Sequence, residues 1–325
     1  MPSPRPIDRG FAGRDRWTGP GIDARARSRT LGAMPSTVSH VRAVDGTDLL
    51  VRHWPADEVE AGGAWAGRPW GSVLLVHGLG EHSGRYEHVG DQLTGAGLEV
   101  AAYDHRGMGG SGGRRGDVER WSQYHDDLAS RLADLRAGAK GRPVVLYAHS
   151  LGGLIAAGYL LDGHPKPDVA VLSSPGLDSA LPGWKKRLAP LLARVGPTVA
   201  ISNGIDGATL SRDPSVAAKT VDDPLCVKVS TARFGALALE EQARVRAAAG
   251  RGFGIPTLVL HGEADGLVPV AASAVLAGAP LVERRTYPDL RHELHNEPEG
   301  PAIVDAIIVW LRERAAGAPV GHAGR

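Results

Sequence analysis

The stretch Val144-Val-Leu-Tyr-Ala-His-Ser150-Leu-Gly-Gly153 decides how the rest of this chain is interpreted. Residues 144–148 form a short apolar run that is typical of a strand buried on both faces, and a helix pattern follows over residues 151–161. A sharp strand-to-helix turn exposes a serine hydroxyl at the top of a sheet, and it needs small neighbouring residues because the chain packs closely there. Ser150 is therefore predicted to be a nucleophile, although Ala148 replaces the first glycine of the strict Gly-x-Ser-x-Gly pattern.

Strand and helix patterns alternate on both sides of this turn. A tight turn at Asp45-Gly46 joins the first two strands, which gives an antiparallel edge. The regular alternation that follows predicts a mostly parallel sheet covered by helices on both faces. The strand patterns cover residues 38–44, 49–54, 72–77, 98–103, 144–148, 169–173, 257–261 and 282–287, and the helix patterns cover residues 86–96, 121–137, 151–161, 271–277 and 301–314.

Residues 175–250 interrupt the alternation, with prolines at positions 175, 182, 190, 197 and 214 and helical patterns over residues 184–195 and 237–249. An insertion between two core strands would lie above the carboxyl ends of the sheet, where open α/β sheets bind ligands. We interpret residues 175–250 as a cap or lid, inserted into a core formed by residues 34–174 and 251–316.

The two ends of the chain are expected to lack a fixed structure. Residues 1–33 contain seven arginines against three aspartates and show no apolar periodicity. They are interpreted either as a disordered basic tail or as sequence upstream of a true start at Met34. Residues 317–325 are interpreted as a flexible C-terminal tail.

Composition limits the classes of function. The formal net charge is +1, with 37 basic and 36 acidic residues, which argues against a nucleic-acid partner because such proteins carry a clustered basic surface. Cys226 is the single cysteine, so no intrachain disulfide is expected. No apolar stretch approaches the roughly 18 residues of a membrane span. We expect a cytoplasmic protein, and peripheral association with a membrane is left open.

A serine nucleophile needs a base, and the base needs an orienting acid. Asp265 follows the strand pattern at residues 257–261, and His292 follows the one at residues 282–287. Serine, acid and histidine in this order are typical of the α/β-hydrolase fold, which is the predicted fold class. Glu263 is the alternative acid and His295 the alternative base.

The tetrahedral intermediate of an acyl transfer needs hydrogen-bond donors for its oxyanion. The backbone N–H of Leu151, next to Ser150, is the first predicted donor. The second is the N–H of Leu79 in His77-Gly-Leu-Gly80, since the glycines of this loop let the backbone approach a substrate.

No cofactor or metal ion is expected. The glycine-rich segment Asp104-His-Arg-Gly-Met-Gly-Gly-Ser111 has neither the Lys-Ser/Thr end of a phosphate-binding loop nor the helix start of a dinucleotide site. The thirteen histidines include no His-Glu-x-x-His pair on a helix, and there is no set of cysteines to accompany them. The segment is interpreted as a structural loop beneath the active site.

Over about residues 40–315 the sequence resembles the monoacylglycerol lipase group of α/β-hydrolases. The first motif and those inside residues 175–250 are more specific than the serine turn, which the whole superfamily shares. Met108 stands where the group usually has histidine. The resemblance is carried by His77-Gly-Leu-Gly-Glu-His-Ser-Gly-Arg-Tyr86, Asp104-His-Arg-Gly107, Ala148-His-Ser-Leu-Gly-Gly153, Leu210-Ser-Arg-Asp213, Asp223-Pro-Leu225 and His292-Glu-Leu-His295.

The resemblance implies a substrate with one acyl chain on glycerol. It also implies that Glu81, Arg85 and His295 contact the glycerol hydroxyls, although Glu81 and Arg85 are equally interpretable as an ion pair at the mouth of the cleft. An apolar series in the predicted cap would hold the acyl chain and contact lipid aggregates or a membrane surface, or it would simply pack on the core. The series comprises Trp184, Leu188, Leu191, Leu192 and Val195.

The sequence thus predicts a serine carboxylic ester hydrolase that converts monoacylglycerols to glycerol and free fatty acid through an acyl-enzyme. A lysophospholipase or a broad-specificity carboxylesterase would use the same three catalytic groups. A peptidase would need an acidic site for a free amine, for which Glu81 is the one candidate. A non-catalytic lipid-binding relative is the alternative from outside the enzymes, and such relatives typically lose a catalytic residue.

Overall fold

The short apolar runs of the sequence become the strands of a central sheet. The computed structural model describes residues 36–56 and 69–315, so the predictions for residues 1–33 and 317–325 lie outside the described residues. The strands are β1 (Thr37–Arg42), β2 (Asp48–Trp54), β3 (Gly71–Val76), β4 (Leu98–Tyr103), β5 (Val144–His149), β6 (Val169–Ser173), β7 (Ala200–Ser202), β8 (Val229–Thr231), β9 (Thr257–Gly262) and β10 (Val282–Tyr287).

Eight of these strands form the central sheet, in the order β1-β2-β4-β3-β5-β6-β9-β10. β1 and β2 are antiparallel, as are β2 and β4, and all other neighbours are parallel. The turn between β1 and β2 places Gly46 at φ +83°, a conformation that glycine adopts without strain. The mostly parallel sheet with an antiparallel edge agrees with the prediction.

Helices cover both faces of the sheet and bury two apolar layers. α2, α3 and α7 pack on one face, and α1 and α9 pack on the other. The α-helices of the described residues are α1 (Glu87–Gly95), α2 (Ser122–Ala139), α3 (Leu151–Leu161), α4 (Gly183–Val195), α5 (Gly207–Leu210), α6 (Pro214–Asp222), α7 (Ala232–Ala248), α8 (Ala271–Ala274) and α9 (Gly300–Ala315).

Four predicted elements have the same boundaries in the structure. β4, β6, β10 and α3 have the predicted bounds. The helix predicted at residues 271–277 is shorter, since α8 ends at Ala274. The elements β7, α5 and β8 were not predicted, because strands and helices of three or four residues show no measurable periodicity. The nine-residue helix α6 was not predicted either.

Residues 175–250, called the cap segment from here on, leave the sheet after β6 and return to its neighbour β9. The segment contains α4 to α7 and the separate antiparallel pair β7–β8. Because β6 is a parallel strand, its carboxyl end directs the chain toward the edge of the sheet where β5 and β9 also end. The cap segment therefore begins beside the turn that carries Ser150.

Candidate active site

Ser150 is the single residue between β5 and α3, at the sharp strand-to-helix turn that the sequence predicts. Its backbone has φ +51° and ψ −113°, a strained conformation for a residue with a side chain. A Cβ on Gly152 would lie 2.4 Å from the Val76 carbonyl oxygen, and one on Gly153 would lie 2.8 Å from Pro175 Cα. Glycine at both positions lets α3 start close to the sheet and holds the serine turn in place.

Ser150 and His292 lie within hydrogen-bond distance, and so do His292 and Asp265. His292 Nε2 is 2.8 Å from Ser150 Oγ, and His292 Nδ1 is 2.7 Å from Asp265 Oδ2. Asp265 lies just past β9, and its Oδ1 accepts hydrogen bonds from the N–H groups of Leu267 and Val268, both at 2.9 Å. The three side chains that the sequence predicts as nucleophile, base and acid thus form a hydrogen-bonded triad.

The electrostatics of this triad suit a base, His292, that becomes positively charged during a reaction. Burial disfavours the charged form of His292, but the charge of Asp265 and its hydrogen bond outweigh burial, so the pKa of His292 is raised. Burial also opposes the ionised form of Asp265, yet His292 and a second histidine, His261, hold the pKa of Asp265 well below its usual range. Asp265 is therefore an anion at neutral pH and can stabilise an imidazolium.

The two alternatives left open by the sequence lie elsewhere. Glu263 is exposed, and its Oε1 accepts a hydrogen bond from the Thr286 hydroxyl at 2.9 Å. His295 is buried behind His149, with ring centroids 5.1 Å apart. The structure brings Asp265 and His292, rather than these two residues, to Ser150.

The two predicted oxyanion donors line the same cavity as Ser150. Leu151 is the first residue of α3, so its N–H has no acceptor within the helix. In the loop after β3, the N–H of Gly78 is engaged by Glu81 Oε1 at 2.5 Å, and the Gly80 carbonyl accepts from the N–H of Val227 at 2.8 Å. Both bonds fix the loop around Leu79, whose N–H has no hydrogen bond among the described residues.

A cavity of about 950 Å³ opens above Ser150. This volume lies at the upper end of the range for ligand pockets, about 300–1,000 Å³. The core supplies its floor, and the cap segment supplies most of its walls. The apolar side chains of the cap segment on these walls include Leu181, Trp184, Leu188, Leu192, Ile201, Leu210, Val227, Phe234 and Leu239.

Charged side chains gather at one side of the cavity. Arg85 Nη1 donates to Glu81 Oε2 at 2.7 Å, and the Arg85 guanidinium donates to both carboxylate oxygens of Glu293 at 2.7 and 2.8 Å. Arg85 Nη2 also donates to the Thr220 hydroxyl of the cap segment at 3.0 Å. Burial alone would lower the pKa of Arg85, but the two carboxylates raise it, so the guanidinium remains charged.

The prediction that His295 contacts the substrate is not supported by this geometry. His295 does not line the cavity, and its side chain stacks on Tyr86 with ring centroids 4.8 Å apart. Burial and the neighbouring His149 lower the pKa of His295 far below its usual value, so the ring is neutral. Glu81 and Arg85 do line the cavity, and they also form the ion pair that was the alternative interpretation.

Glu293 is the site residue that the sequence reasoning missed. It lines the cavity, is buried, and binds Arg85 through both carboxylate oxygens. Its position next to His292 was the available signal, since a side chain adjacent to a catalytic base faces the same region. The sequence alone did not reveal its partner, because Arg85 lies 208 residues away.

Comparison with known proteins places these features in a family. Residues 67–299 match the Hydrolase_4 family, described as serine aminopeptidase, S33. A protein of Mycolicibacterium smegmatis named monoacylglycerol lipase is 33% identical over 252 residues, which cover 75% of this chain and 88% of that protein. The crystal structure of Paleococcus ferrophilus monoacylglycerol lipase is 33% identical, with a TM-score of 0.69, and the match covers 76% of this chain and 96% of that one.

A further solved structure supports the fold alone. It is a soluble variant of monoglyceride lipase from Saccharomyces cerevisiae in complex with a substrate analog, 23% identical with a TM-score of 0.77. The match covers 87% of this chain and 97% of that chain. Fold and family together define a serine hydrolase of the α/β-hydrolase fold. Within that class, the chain belongs to the Hydrolase_4 family and to its monoacylglycerol lipase group.

Proposed function

We propose that this protein is a monoacylglycerol lipase, which hydrolyses the ester of a monoacylglycerol or another single-chain lipid ester to an alcohol and a free fatty acid. The observation that carries the proposal is the hydrogen-bonded triad Ser150–His292–Asp265 at the floor of a large cavity with mostly apolar walls. A Ser-His-Asp triad of this kind cleaves esters, and apolar cavity walls suit an acyl chain. The names of the relatives at 33% identity support the same substrate class.

In the first half of the reaction, Ser150 Oγ attacks the ester carbonyl while His292 Nε2 accepts its proton. Asp265 stabilises the resulting imidazolium, which is why its low pKa matters. The N–H groups of Leu79 and Leu151 hold the oxyanion. Collapse of the tetrahedral intermediate passes the proton from His292 to the leaving glycerol oxygen and leaves an acyl-enzyme on Ser150.

In the second half, water replaces glycerol beside His292. His292 Nε2 accepts a proton from the water, whose oxygen attacks the acyl carbonyl. The second tetrahedral intermediate uses the same two N–H donors. Its collapse returns the proton to Ser150 Oγ and releases the fatty acid. Every proton in this cycle moves between Ser150, His292 and the substrates, so the cycle requires no cofactor.

The glycerol part of the substrate is assigned to the charged side of the cavity. Glu81 and Arg85 lie there with Glu293, and all three are fixed by their mutual hydrogen bonds. Lone pairs that remain on the carboxylate oxygens can accept hydrogen bonds from small hydroxyl groups. A site held in this way discriminates against analogues that lack the hydroxyls.

Aminopeptidase activity, which the family description would suggest, is disfavoured by the same contacts. An enzyme that recognises a free amino terminus needs a carboxylate available to an ammonium group. The negative charge of Glu81 is already compensated by Arg85, whose Nη1 donates to Glu81 Oε2 at 2.7 Å. The positive charge of Arg85 beside Glu81 would also repel an ammonium ion.

We also propose that α4 contacts lipid aggregates or a membrane surface. The helix has no buried residue, and Trp184, Leu191 and Val195 are 61%, 60% and 74% exposed. Apolar side chains exposed along one helix, next to Lys185 and Arg194, are typical of interfacial helices. Among the described residues, no helix is both long and apolar enough to cross a membrane.

Hydrolysis assays test the catalytic proposal. Initial rates should be compared for 1-monoacylglycerols, lysophospholipids with the same acyl chain, short p-nitrophenyl esters and aminoacyl p-nitroanilides. We expect monoacylglycerol to be the preferred substrate and Ser150→Ala to abolish its turnover, while the exposed Ser122→Ala serves as the matched control. Faster turnover of lysophospholipid would replace the proposed substrate class, and full activity of Ser150→Ala would refute the nucleophile.

A vesicle assay tests the role of α4. The double variant Leu191→Ser/Val195→Ser removes two exposed apolar side chains that do not line the cavity. We expect less protein to float with phospholipid vesicles and slower hydrolysis of vesicle-borne monoacylglycerol, with unchanged rates on water-soluble esters. Unchanged flotation would contradict the proposed contact, and an equal loss on soluble esters would indicate a structural role for the two residues.

A further inference from the structure

A second cluster of side chains lies at the far end of α3 from Ser150. The ligand atoms of His125, Asp162 and His164 all lie within 4.8 Å of one another. His125 comes from α2, while Asp162 and His164 follow the last turn of α3. Because α3 has 11 residues, the cluster lies on the order of 16 Å from the catalytic serine. None of the three residues lines the cavity above Ser150.

We propose that His125, Asp162 and His164 form a binding site for a divalent transition-metal ion, for which Zn²⁺ is the best candidate. Two imidazoles and one carboxylate are a donor set that Zn²⁺ accepts, with bonds of about 2.0–2.2 Å and a water as the fourth ligand. Tetrahedral coordination at such bond lengths places donor atoms roughly 3.4 Å apart. His125 Nδ1 is already 3.6 Å from Asp162 Oδ2.

The side chain of His125 is prepared for a ligand on Nδ1. It is only 7% exposed, and its Nε2 has no well-aligned hydrogen bond although Glu241 Oε1 lies 3.5 Å away. A histidine that binds a metal through one ring nitrogen almost always directs the other N–H at a carboxylate or carbonyl. Glu241 occupies that place, and binding of an ion at Nδ1 would fix the tautomer in which Nε2–H points at Glu241.

The surrounding contacts hold the other two ligands. Arg244 Nη1 donates to Asp162 Oδ1 at 2.7 Å, which leaves Oδ2 directed toward His125. The His164 ring stacks on Tyr159 with centroids 4.6 Å apart and nearly parallel planes, at 6°. The Tyr159 hydroxyl donates to the Pro165 carbonyl oxygen at 2.7 Å, which ties the loop after α3 to the helix.

The charge balance also favours a cation. Asp162 and Glu241 contribute two negative charges, and Arg244 contributes one positive charge between them. With neutral imidazoles, the cluster carries a net charge of −1 before an ion binds. Asp162 and His164 are half-buried rather than enclosed, so an ion can enter from solvent.

A second group with suitable side chains is a poorer candidate. His82, Asp223 and Cys226 also lie within reach of one another, and Cys226 lines the cavity above Ser150. His82 Nδ1 accepts the N–H of Gly84 at 3.1 Å, so Nε2 carries the proton and donates to Asp223 at 2.7 Å. Burial raises the pKa of the Cys226 thiol to about 11, which disfavours the thiolate that a metal needs. No nitrogen of His82 is left for an ion.

The proposed site departs from the expectation, based on sequence motifs, that the protein binds no metal ion. That expectation rested on helical His-Glu-x-x-His pairs and on cysteine sets. Here one histidine lies in α2 and the other two ligands form an Asp-x-His segment 37 residues later, counted from His125 to Asp162. Only the packing of α2 against α3 brings them together.

Titration of the full chain, without a polyhistidine tag, tests the proposal. Zn²⁺ is titrated calorimetrically, and Co²⁺ binding is followed by its visible absorption. We expect one equivalent of Zn²⁺ to bind the parent protein and to raise its Tm. His164→Ala and, independently, Asp162→Asn should each weaken binding by at least tenfold, the lower bound of what even outer-sphere changes cause.

Two further variants make the result specific. His40→Ala removes an exposed histidine that also lies beside a carboxylate, Asp48, and should bind Zn²⁺ like the parent. Cys226→Ser should likewise retain binding. The esterase rate of His164→Ala in metal-free buffer should equal that of the parent, since the cluster is remote from Ser150. Circular dichroism confirms that each variant is folded.

Three outcomes would overturn the proposal. The first is the absence of any Zn²⁺ or Co²⁺ binding at millimolar concentration. The second is unchanged affinity in both His164→Ala and Asp162→Asn. The third is loss of binding in Cys226→Ser with retention in the other variants, which would place the ion at the cavity wall instead.

Discussion

Replacement of Asp265 by asparagine tests the electrostatic core of the proposed mechanism. Asparagine keeps the size of the side chain but removes the charge that faces His292. At the observed separation of 2.7 Å, an effective dielectric constant of about 20 gives an attraction of about 6 kcal/mol between the carboxylate and an imidazolium. Because each 1.36 kcal/mol corresponds to about a tenfold change in rate, kcat should fall by up to about four orders of magnitude.

The effect should appear in kcat rather than in KM. His292 is neutral when the substrate binds and is charged only in the transition states, so its attraction to Asp265 stabilises those states selectively. Steady-state rates on a monoacylglycerol and on a p-nitrophenyl ester measure both parameters. Glu263→Gln is the matched control, because Glu263 belongs to the same loop after β9 but is exposed. A loss below tenfold in Asp265→Asn, or an equal loss in Glu263→Gln, would refute the assigned role.

Three further predictions concern stability and pH. Gly152→Ala should lower the free energy of unfolding by about 1–3 kcal/mol in urea titrations, since its Cβ would lie 2.4 Å from a backbone oxygen. The control Gly163→Ala should leave the free energy of unfolding unchanged, because the space around Gly163 is open. The kcat/KM of the parent should decline as the pH falls through the pKa of His292, because only the neutral form of this base accepts a proton. The pKa of His292 is raised above the ordinary histidine value of 6.5, so the decline should be centred above pH 6.5. A decline centred below pH 6.5 would contradict this. Arg85→Met should destabilise the protein by about 3–5 kcal/mol in the same urea titration, because the buried carboxylates of Glu81 and Glu293 lose their cation. Unchanged stability would show that these carboxylates do not depend on Arg85.

The fold could be predicted from the sequence because its signals are local. Each core strand is a short apolar run, and the helices between the strands have lengths that periodicity detects. The serine turn is equally local, since Ser150 lies between β5 and α3 with two glycines directly behind it. Asp265 and His292 were then located by their positions after β9 and β10. One topological rule therefore brings three residues to one edge of the sheet.

The short elements of the cap segment could not be predicted in this way. β7 and β8 have three residues each, and they pair with one another across nearly thirty residues of chain. α4 was predicted from its periodicity, but its exposure was not. An apolar series on a helix has the same spacing whether it packs on a core or faces solvent, so the series from Trp184 to Val195 left both interpretations open. In the structure no residue of α4 is buried, and Trp184, Leu188 and Leu192 line the cavity.

The contacts that hold the site together are also non-local, and they determine which side chains near His292 face the cavity. The loop that carries the Leu79 N–H is bonded to the cap segment through Gly80 and Val227, and His82 in the same region binds Asp223, 141 residues away. His295 lies three residues after His292, and sequence proximity suggested that it shares the cavity. The one-turn helix that contains His295 instead turns its ring into the core beside Tyr86, while Glu293 faces the cavity and binds Arg85. A sequence motif therefore identifies the residues that react, but the orientation of the side chains beside them depends on partners that only the folded chain supplies.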